Sequence, residues 1–397
     1  MSNIINCVLA QLLLFCGGLL LNKGIIHSNF TLLLFLLTLW LLTFTLIINR
    51  CEKGTLIHLN IFLICRVLLV FKTKNLLLFF IYFELSVLPI TLIVFLYGYQ
   101  PEKLQAAFSL LLYTVVGSLP LFLFIITSES TMIQSAIIAF SFTFRFIVKT
   151  PMYIVHTWLP KAHVEAPVGG SIMLAGVLLK LGSYGLLVFL PNVKLNILLI
   201  SYFSISLVGS IVCSLICLRQ GDLKLLVAYS SVVHMGVVTL GFISGRVLGY
   251  TCGVIMIIAH GLCSPFLFSF AYWLYSNSHS RLMVNNNRNW PLILLSLFTL
   301  VRQNIGVPPR LSVWSEVLIT ISSINLYGCI IPWLIGVFFL GGAYNLYLYV
   351  SCIHTKGIEN SRSIYVSWII PIIQVSFLGY GSFICLDLFH ILFYITN

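Results

Sequence analysis

The sequence predicts an all-α polytopic membrane protein. Of its 397 residues, 60% are hydrophobic and 8% are charged, whereas an ordinary soluble domain is about 25% charged. The apolar residues fall into runs of about 20, the length that crosses a hydrocarbon core as a helix. Within those runs stand isolated ionisable residues. A charge at membrane depth is costly and is usually kept for ion or proton work.

Taken in order, the apolar runs predict about thirteen spanning helices. They fall roughly at 4–21, 30–48, 55–71, 76–97, 104–126, 132–158, 168–190, 196–217, 224–243, 249–275, 291–326, 329–351 and 366–393. Connections are short, so no extramembrane domain is expected. Residues 277–290, NSHSRLMVNNNRNW, form the longest polar loop. The N-terminus, MSNIINCVLA, reads as a first transmembrane helix and not as a cleaved signal or an Arg-rich presequence.

Net charge is +12. The basic residues sit singly in short connections, with no basic tract and no aromatic platform, so nucleic acid is excluded as a partner. The charge reads instead as the positive-inside kind. Arg50, Lys53, Lys103, Lys161, Arg219, Lys224, Arg281 and Arg288 follow even-numbered helices. Lys23, Lys72, Lys74, Lys194 and Arg246 follow odd-numbered ones. That bias places the N-terminus and the even connections on the negative side of the membrane. The 11 cysteines include no CxxC pair, and Cys213 and Cys217 have no partner pair after them. Buried apolar thiols are expected, with no disulfide framework and no metal site.

Two spans are interrupted by proline beside a charge. Lys149 precedes Thr150-Pro151, and Pro308-Pro309 precedes Glu316. Proline removes a backbone donor and clashes with the preceding turn, so each helix should break there. Paired interruptions at corresponding positions predict an inverted repeat with its site at the midplane. The repeats would be helices three to seven and eight to twelve. The expected division is residues 1–54, a first half-channel 55–190, a second half-channel 196–351, and a terminal helix in 352–397.

The buried ionisable residues are the candidate site. Glu84 lies mid-helix in FFIYFELSVLPI with nothing within one turn to pair with it. Lys149 follows FRFIV and Lys180 follows MLAGVLL. Burial disfavours the charged form of such groups, and a nearby opposite charge restores it, so they can exchange protons as their surroundings change. For Lys149, with Arg145 one turn away, a snorkelling side chain is the plainer alternative. His234 and His260 are single histidines on apolar helices. Alone they would read as satisfied core residues, but in this company a proton relay is an equal reading. His156 and His163 lack a usual zinc spacing. Asp222 and Lys224 read as a helix cap and a surface pair. The small residues of GGSIMLAG, 169–176, mark close helix packing. Two functions fit: a proton or cation translocator using these groups, or a non-pumping membrane scaffold whose polar residues bond helices.

At these residues a family resemblance emerges. VKTPMYIVHTWLPKAHVEAPVGGSIMLAGVLLKLGSYG resembles the signature of the antiporter-like, proton-pumping membrane subunits of NADH–ubiquinone oxidoreductase, respiratory complex I. YGYQPEKLQAAFSLLLYTVVGSLP at 97–120, CLRQGDLKLLVAYSSVVHMG at 217–236, IAHGL at 258–262, HSR at 279–281 and NIGVPPRLSVWSEV at 304–317 follow in the family's order. The resemblance covers about residues 80–320 and implies two inverted half-channels, each with a broken helix. It places the family's helix glutamate on Glu84 and its broken-helix lysine on Lys149. Its central lysine falls on Lys180, its two axial histidines on His234 and His260, and its exit-side carboxylate on Glu316. Sister members carry lysine at that last position. The resemblance further implies a multi-pass protein of the mitochondrial inner membrane, with the other membrane-arm subunits and the lipid bilayer as partners. NADH and ubiquinone would be used elsewhere in the complex, with no flavin, iron–sulfur cluster or quinone in this chain. A cation/proton antiporter or membrane-bound hydrogenase subunit is the neighbouring reading. Departures from the family pattern are an N-terminus one helix short of the usual fourteen, Tyr275-Ser276-Asn277-Ser278 in place of Tyr-Glu-Arg, and Arg310 after the proline pair.

Overall fold

In hydrocarbon every backbone polar group must be satisfied within the protein, and the helix does this within one segment. The computed structural model follows that rule. It describes residues 26–48, 54–73, 75–127, 136–190, 197–278, 280–283, 291–307, 311–325 and 328–354. Apart from short turns and one isolated bridge, these residues are helical. The helices expected at 4–21 and 366–393, and the Pro308-Pro309-Arg310 step, lie outside them. Among the described residues eight helices are long and apolar enough to cross a membrane. Each predicted span that falls in the described residues has its helix or broken pair of helices.

The first half of the chain supplies α1 (Ile26–Ile48), α2 (Gly54–Lys72), α3 (Leu76–Leu85), α4 (Val87–Tyr97), α5 (Lys103–Thr127), α6 (Ala136–Lys149), α7 (Trp158–Glu165), α8 (Val168–Met173) and α9 (Leu179–Phe189). The second supplies α10 (Ile197–Leu218), α11 (Leu223–Ile243), α12 (Val247–Ser278), α13 (Pro291–Ile305), α14 (Leu311–Ile324) and α15 (Ile331–His354). The α8–α9 span is 89% buried and α11 is 94% buried, whereas α15 is only 28% buried. With α12, also 89% buried, the first two form the axis of the bundle, and α15 lies at its rim.

Interruptions in these helices have local causes. Pro151 cannot donate to the Ile147 carbonyl, and α6 ends at Lys149. The Met152 amide donates to that carbonyl instead at 3.4 Å, and the Trp158 indole donates to the Val148 carbonyl at 3.1 Å. The connecting segment holds Ile154 at φ +81°, a left-handed conformation that a β-branched residue rarely adopts and that is typical of functional sites. The second predicted break also falls where expected, with α13 ending at Ile305 and Gly306 left-handed at φ +77°. Two further irregularities were not expected. The span over 76–97 is kinked at Ser86, three residues before Pro89. The span over 168–190 contains a π-helical turn at Leu174–Leu178 between α8 and α9.

Close approach is set by small residues. A Cβ on Gly170 would lie 2.9 Å from Ile93, and one on Gly176 would collide with Leu41. This packing was expected of 169–176, but it extends further along the helix. A Cβ on Gly182 would lie 2.9 Å from the Thr150 backbone nitrogen, and one on Gly185 would collide with the Phe146 ring. These two glycines let α9 lie directly against the broken end of α6. Buried free thiols at Cys213, Cys217, Cys252, Cys263 and Cys352 match expectation, while Cys65 is exposed on α2. Gly182→Val should destabilise the protein by about 1–3 kcal/mol, because backbone rather than a mobile side chain is in the way. Gly341→Ala, where nothing lies within 4 Å, should be neutral or mildly stabilising. Melting of the purified assembly distinguishes the two.

Candidate functional site

Two clusters of ionisable groups, buried but for the partly exposed Glu84 and Glu316 side chains, make up the site. The first joins α3 to α6. Arg145, 1% exposed, donates through Nη2 to Glu84 Oε1 at 2.8 Å and to the Phe80 carbonyl at 3.3 Å. Its guanidinium carbon stands 4.2 Å over the Phe80 ring and 4.1 Å over the Phe83 ring. One turn later on the same face of α6, the Lys149 ammonium donates to the Phe83 carbonyl at 3.0 Å and stands 3.3 Å over the same Phe83 ring. The carboxylate is taken by Arg145, and Lys149 is held by a carbonyl and a ring face. Cations over aromatic faces in desolvated sites gain about 2 kcal/mol each.

The second cluster brings four predicted residues together from four helices. Lys180 on α9 is 1% exposed. It donates to the Ala175 carbonyl of the π turn at 2.6 Å and meets His260 Nδ1 on α12 at 2.7 Å. The rings of His260 and His234 have centroids 5.7 Å apart. His234 Nδ1 on α11 lies 4.0 Å from Glu316 Oε1 on α14. Irregular backbone frames both ends of this line. The π turn presents a carbonyl to Lys180, and the left-handed Gly306 would place a Cβ 3.0 Å from Glu316 Oε2.

A side network fixes the middle of the line. Asn345 donates from Nδ2 to the Gly341 carbonyl at 2.9 Å, leaving its oxygen to accept from Asn304 Nδ2 at 2.8 Å. Asn304 Oδ1 is thereby turned to His234 Nε2 at 2.9 Å. An amide oxygen only accepts, so Nε2 carries a proton and the neutral ring has its free lone pair on Nδ1, the nitrogen facing Glu316. His234 is thus held in the tautomer that can take a proton on the Glu316 side.

The remaining polar residues of the signature segment do not join either cluster. His163 is fully buried and stacks on Phe268 with centroids 4.2 Å apart, and neither ring nitrogen has a hydrogen-bond partner among the described residues. His156 stacks on Tyr153 at 5.2 Å. Lys161 is exposed. Glu165, 3% exposed, accepts from the Gln100 amide at 3.2 Å and lies 3.8 Å from Arg281 Nη1. Asp222 caps α11 as expected, accepting from the Lys224 amide at 3.1 Å. Burial raises the Asp222 carboxyl above its ordinary value, while that bond and the Arg281 and Lys224 charges pull it down. The surface-pair reading of Lys224 is corrected. Its side chain is buried, and its ammonium donates to the Ala166 carbonyl at 3.2 Å, at the end of α7.

Comparison with known proteins agrees with this architecture. The family described as NADH:quinone oxidoreductase/Mrp antiporter, TM, matches residues 73–342. The NADH-ubiquinone oxidoreductase chain 4 of Mytilus edulis is 40% identical over 299 residues, covering 70% of this chain and 68% of that one. Its counterpart from Ceratitis capitata is 37% identical over 353 residues, covering 81% and 78%. The chain belongs to the NADH-ubiquinone oxidoreductase chain 4 family. Among solved structures, a chain of respiratory complex I from Thermus thermophilus with bound NADH superposes with TM-score 0.80 at 21% identity, covering 90% of this chain and 80% of that one. A chain of the Mrp complex from Dietzia sp. DQ12-45-1b gives TM-score 0.78 at 19% identity, covering 89% and 42%. At such identities the likeness establishes the fold.

Within this chain 4 family member, sequence reasoning missed three contributors. Arg145 stood in view, one turn before Lys149 on the same helix face, but was read as a neighbour of Lys149 and not as the partner of Glu84. Asn304 falls in the quoted NIGVPP motif, yet nothing in it marks a partner. Asn345 had no signal beyond being a polar residue in an apolar helix. The Glu165 site has its own consequence. Glu165→Gln keeps an acceptor for the Gln100 amide but loses the attraction to Arg281, whereas Glu165→Leu loses both. Melting temperature of the purified assembly should fall in that order. The Leu variant should lose about 1 kcal/mol, because Gln100 is exposed and Arg281 partly exposed, so water takes over part of the lost bonding.

Proposed function

We propose that this chain is a proton-translocating subunit of the membrane arm of NADH:ubiquinone oxidoreductase, in the mitochondrial inner membrane. One observation carries the reading: a line of titratable side chains, Lys180, His260, His234 and Glu316, contributed by four helices, three of them the most buried in the bundle. A membrane scaffold has no need of such a line. Four separate ionisable residues on apolar helices each cost stability, and interhelical bonds can be made by neutral Ser, Thr or Asn.

The chemistry is proton transfer alone. Lys180 gives a proton to His260 Nδ1, the site it already contacts. The proton passes to the His234 ring, whose Nδ1 is the free acceptor set by Asn304, and leaves by the Glu316 carboxyl. Each histidine returns to its neutral state by passing its proton on, Glu316 by releasing its own, and Lys180 by taking a new proton from the Lys149 side. Neighbours this close titrate as one coupled system. Glu84 and Lys149 belong to the first half-channel, residues 55–190, and the line from His234 to Glu316 to the second, residues 196–351. Lys180, on α9 at the end of the first, meets the second through His260. NADH oxidation and ubiquinone reduction belong to other subunits of the complex, with which this chain assembles in the bilayer.

Lys180→Met should give a fully assembled complex that oxidises NADH with proton pumping lost or strongly reduced. His234→Gln should behave alike, with its amide able to bond Asn304 but unable to carry a proton. Pumping in reconstituted vesicles, read beside assembly on native gels, checks this. Normal pumping by assembled Lys180→Met would make the polar residues structural bonds between helices.

A further inference from the structure

The first cluster contains two cations and one carboxylate. Glu84 is the only acid on α3, α5, α6 and α9, the helix on which Lys149 lies and those around it. Their other ionisable groups are Tyr82 on α3, Lys103 and Tyr113 on α5, Arg145 on α6, and Lys180 and Tyr184 on α9. One anion therefore serves both Arg145 and Lys149, and the geometry assigns it to Arg145. The guanidinium donates to Glu84 Oε1 at 2.8 Å, and its Nε and Nη1 find no acceptor among the described residues. Among the described residues Glu84 is thus the only anion that anchors it. Lys149 has a carbonyl at 3.0 Å and the Phe83 ring at 3.3 Å. That same ring carries Arg145 at 4.1 Å on the guanidinium carbon, so the two cations share one weak acceptor.

We propose that Arg145 is a positioning residue that competes with Lys149 for Glu84, holding the carboxylate so that the Lys149 proton stays exchangeable. This deepens the relay reading above and rests on it. A guanidinium does not deprotonate in a protein, so Arg145 is a fixed charge and Lys149 the variable one. With Arg145 on Glu84, the Lys149 ammonium lacks a full counter-charge, and its proton can leave toward α9. Were Glu84 to pair with Lys149 instead, the proton would be held and Arg145 would be left buried with no anion. The arrangement sets which of two buried cations bears the cost, and that choice tunes the first carrier.

The test is a double-mutant cycle in the intact complex, reading the pH at which NADH-driven pumping is half-maximal. Arg145→Met frees Glu84 for Lys149, which then releases its proton only at higher pH, so the profile should move up by about one unit or more. Glu84→Gln leaves Arg145 uncompensated beside Lys149, so the profile should move down by a similar amount. The double variant removes one charge of each sign and should return near the parent. Arg145→Lys keeps the charge and should shift less than Arg145→Met. A purely structural role for Arg145 predicts lower yield in every variant but no opposed shifts, and that result overturns the proposal. If Arg145→Met fails to assemble, Glu84→Gln and Arg145→Lys carry the test, and an unmoved Glu84→Gln profile overturns it. Lys149→Met separates the two readings. Its pumping should be lost, and pumping retained would sink the relay itself. Pumping lost in Lys149→Met with unmoved profiles in the other variants would sink only the role given to Arg145.

Discussion

A lysine ammonium enclosed in a helix bundle must find every hydrogen bond in the protein, and the site depends on how Lys180 finds two of its own. In a regular α-helix each carbonyl already accepts from the amide four residues on, so a side chain of the same helix that bonds it must share it. The π turn at Leu174–Leu178 disturbs that ladder and offers the Ala175 carbonyl. The second partner, His260, lies on another helix. Holding Lys180 there ties α9 to α12, and through His260 and His234 to α11 and α14. The pattern recurs at the other ionisable groups. Lys149 bonds the Phe83 carbonyl just before the kink at Ser86, and Glu316 sits against the left-handed Gly306 where α13 ends. Helix irregularity and buried charge occur together because one supplies what the other needs.

The two clusters differ in their state. The line from Lys180 to Glu316 is close to continuous, with a direct hydrogen bond at one end and a fixed histidine tautomer near the other. The first cluster is closed on itself by Arg145. Between them α9 lies against the end of α6, brought there by Gly182 and Gly185. The step from Lys149 to Lys180 is thus across a packed helix contact. Lys149 sits on the last residue of α6, where the helix breaks, and a change at that break would move it relative to α9. Coupling the two clusters requires such a two-state element, and the segment that holds Ile154 in a left-handed conformation adjoins it.

Much of this was legible in the chain, for reasons that differ by feature. Spans are written in composition, since only an apolar helix satisfies its backbone in lipid. Proline marks the breaks at Lys149 and before Leu311, because the missing donor acts locally. The π turn has no such marker. Leu174 to Leu178 read as ordinary helix, and only the packing of Gly176 on Leu41 and the pull of Lys180 set the turn apart. Pairings were the least legible, because they join residues far apart in sequence. The resemblance placed Glu84 and Lys149 without saying what each bonds, and Arg145, on the same face one turn before Lys149, takes the carboxylate. Lys224 likewise sits at a helix start, where exposure is the ordinary expectation, yet it turns inward to the carbonyls that close α7. His234 and His260 were readable only as a group. Each alone is a core histidine, and the line becomes visible when Lys180 and Glu316 bracket them.

The account's central claim is that protons can move along the line from Lys180 to Glu316 and reach it from Lys149. A map of the intact complex at a resolution that shows ordered water tests this most directly. The account predicts water between His260 and His234, and water bridging Lys149 to Lys180 in at least one state. A dry apolar gap between Lys149 and Lys180 in every state, or His234 turned away from Glu316 with Asn304 still bonded, would contradict it.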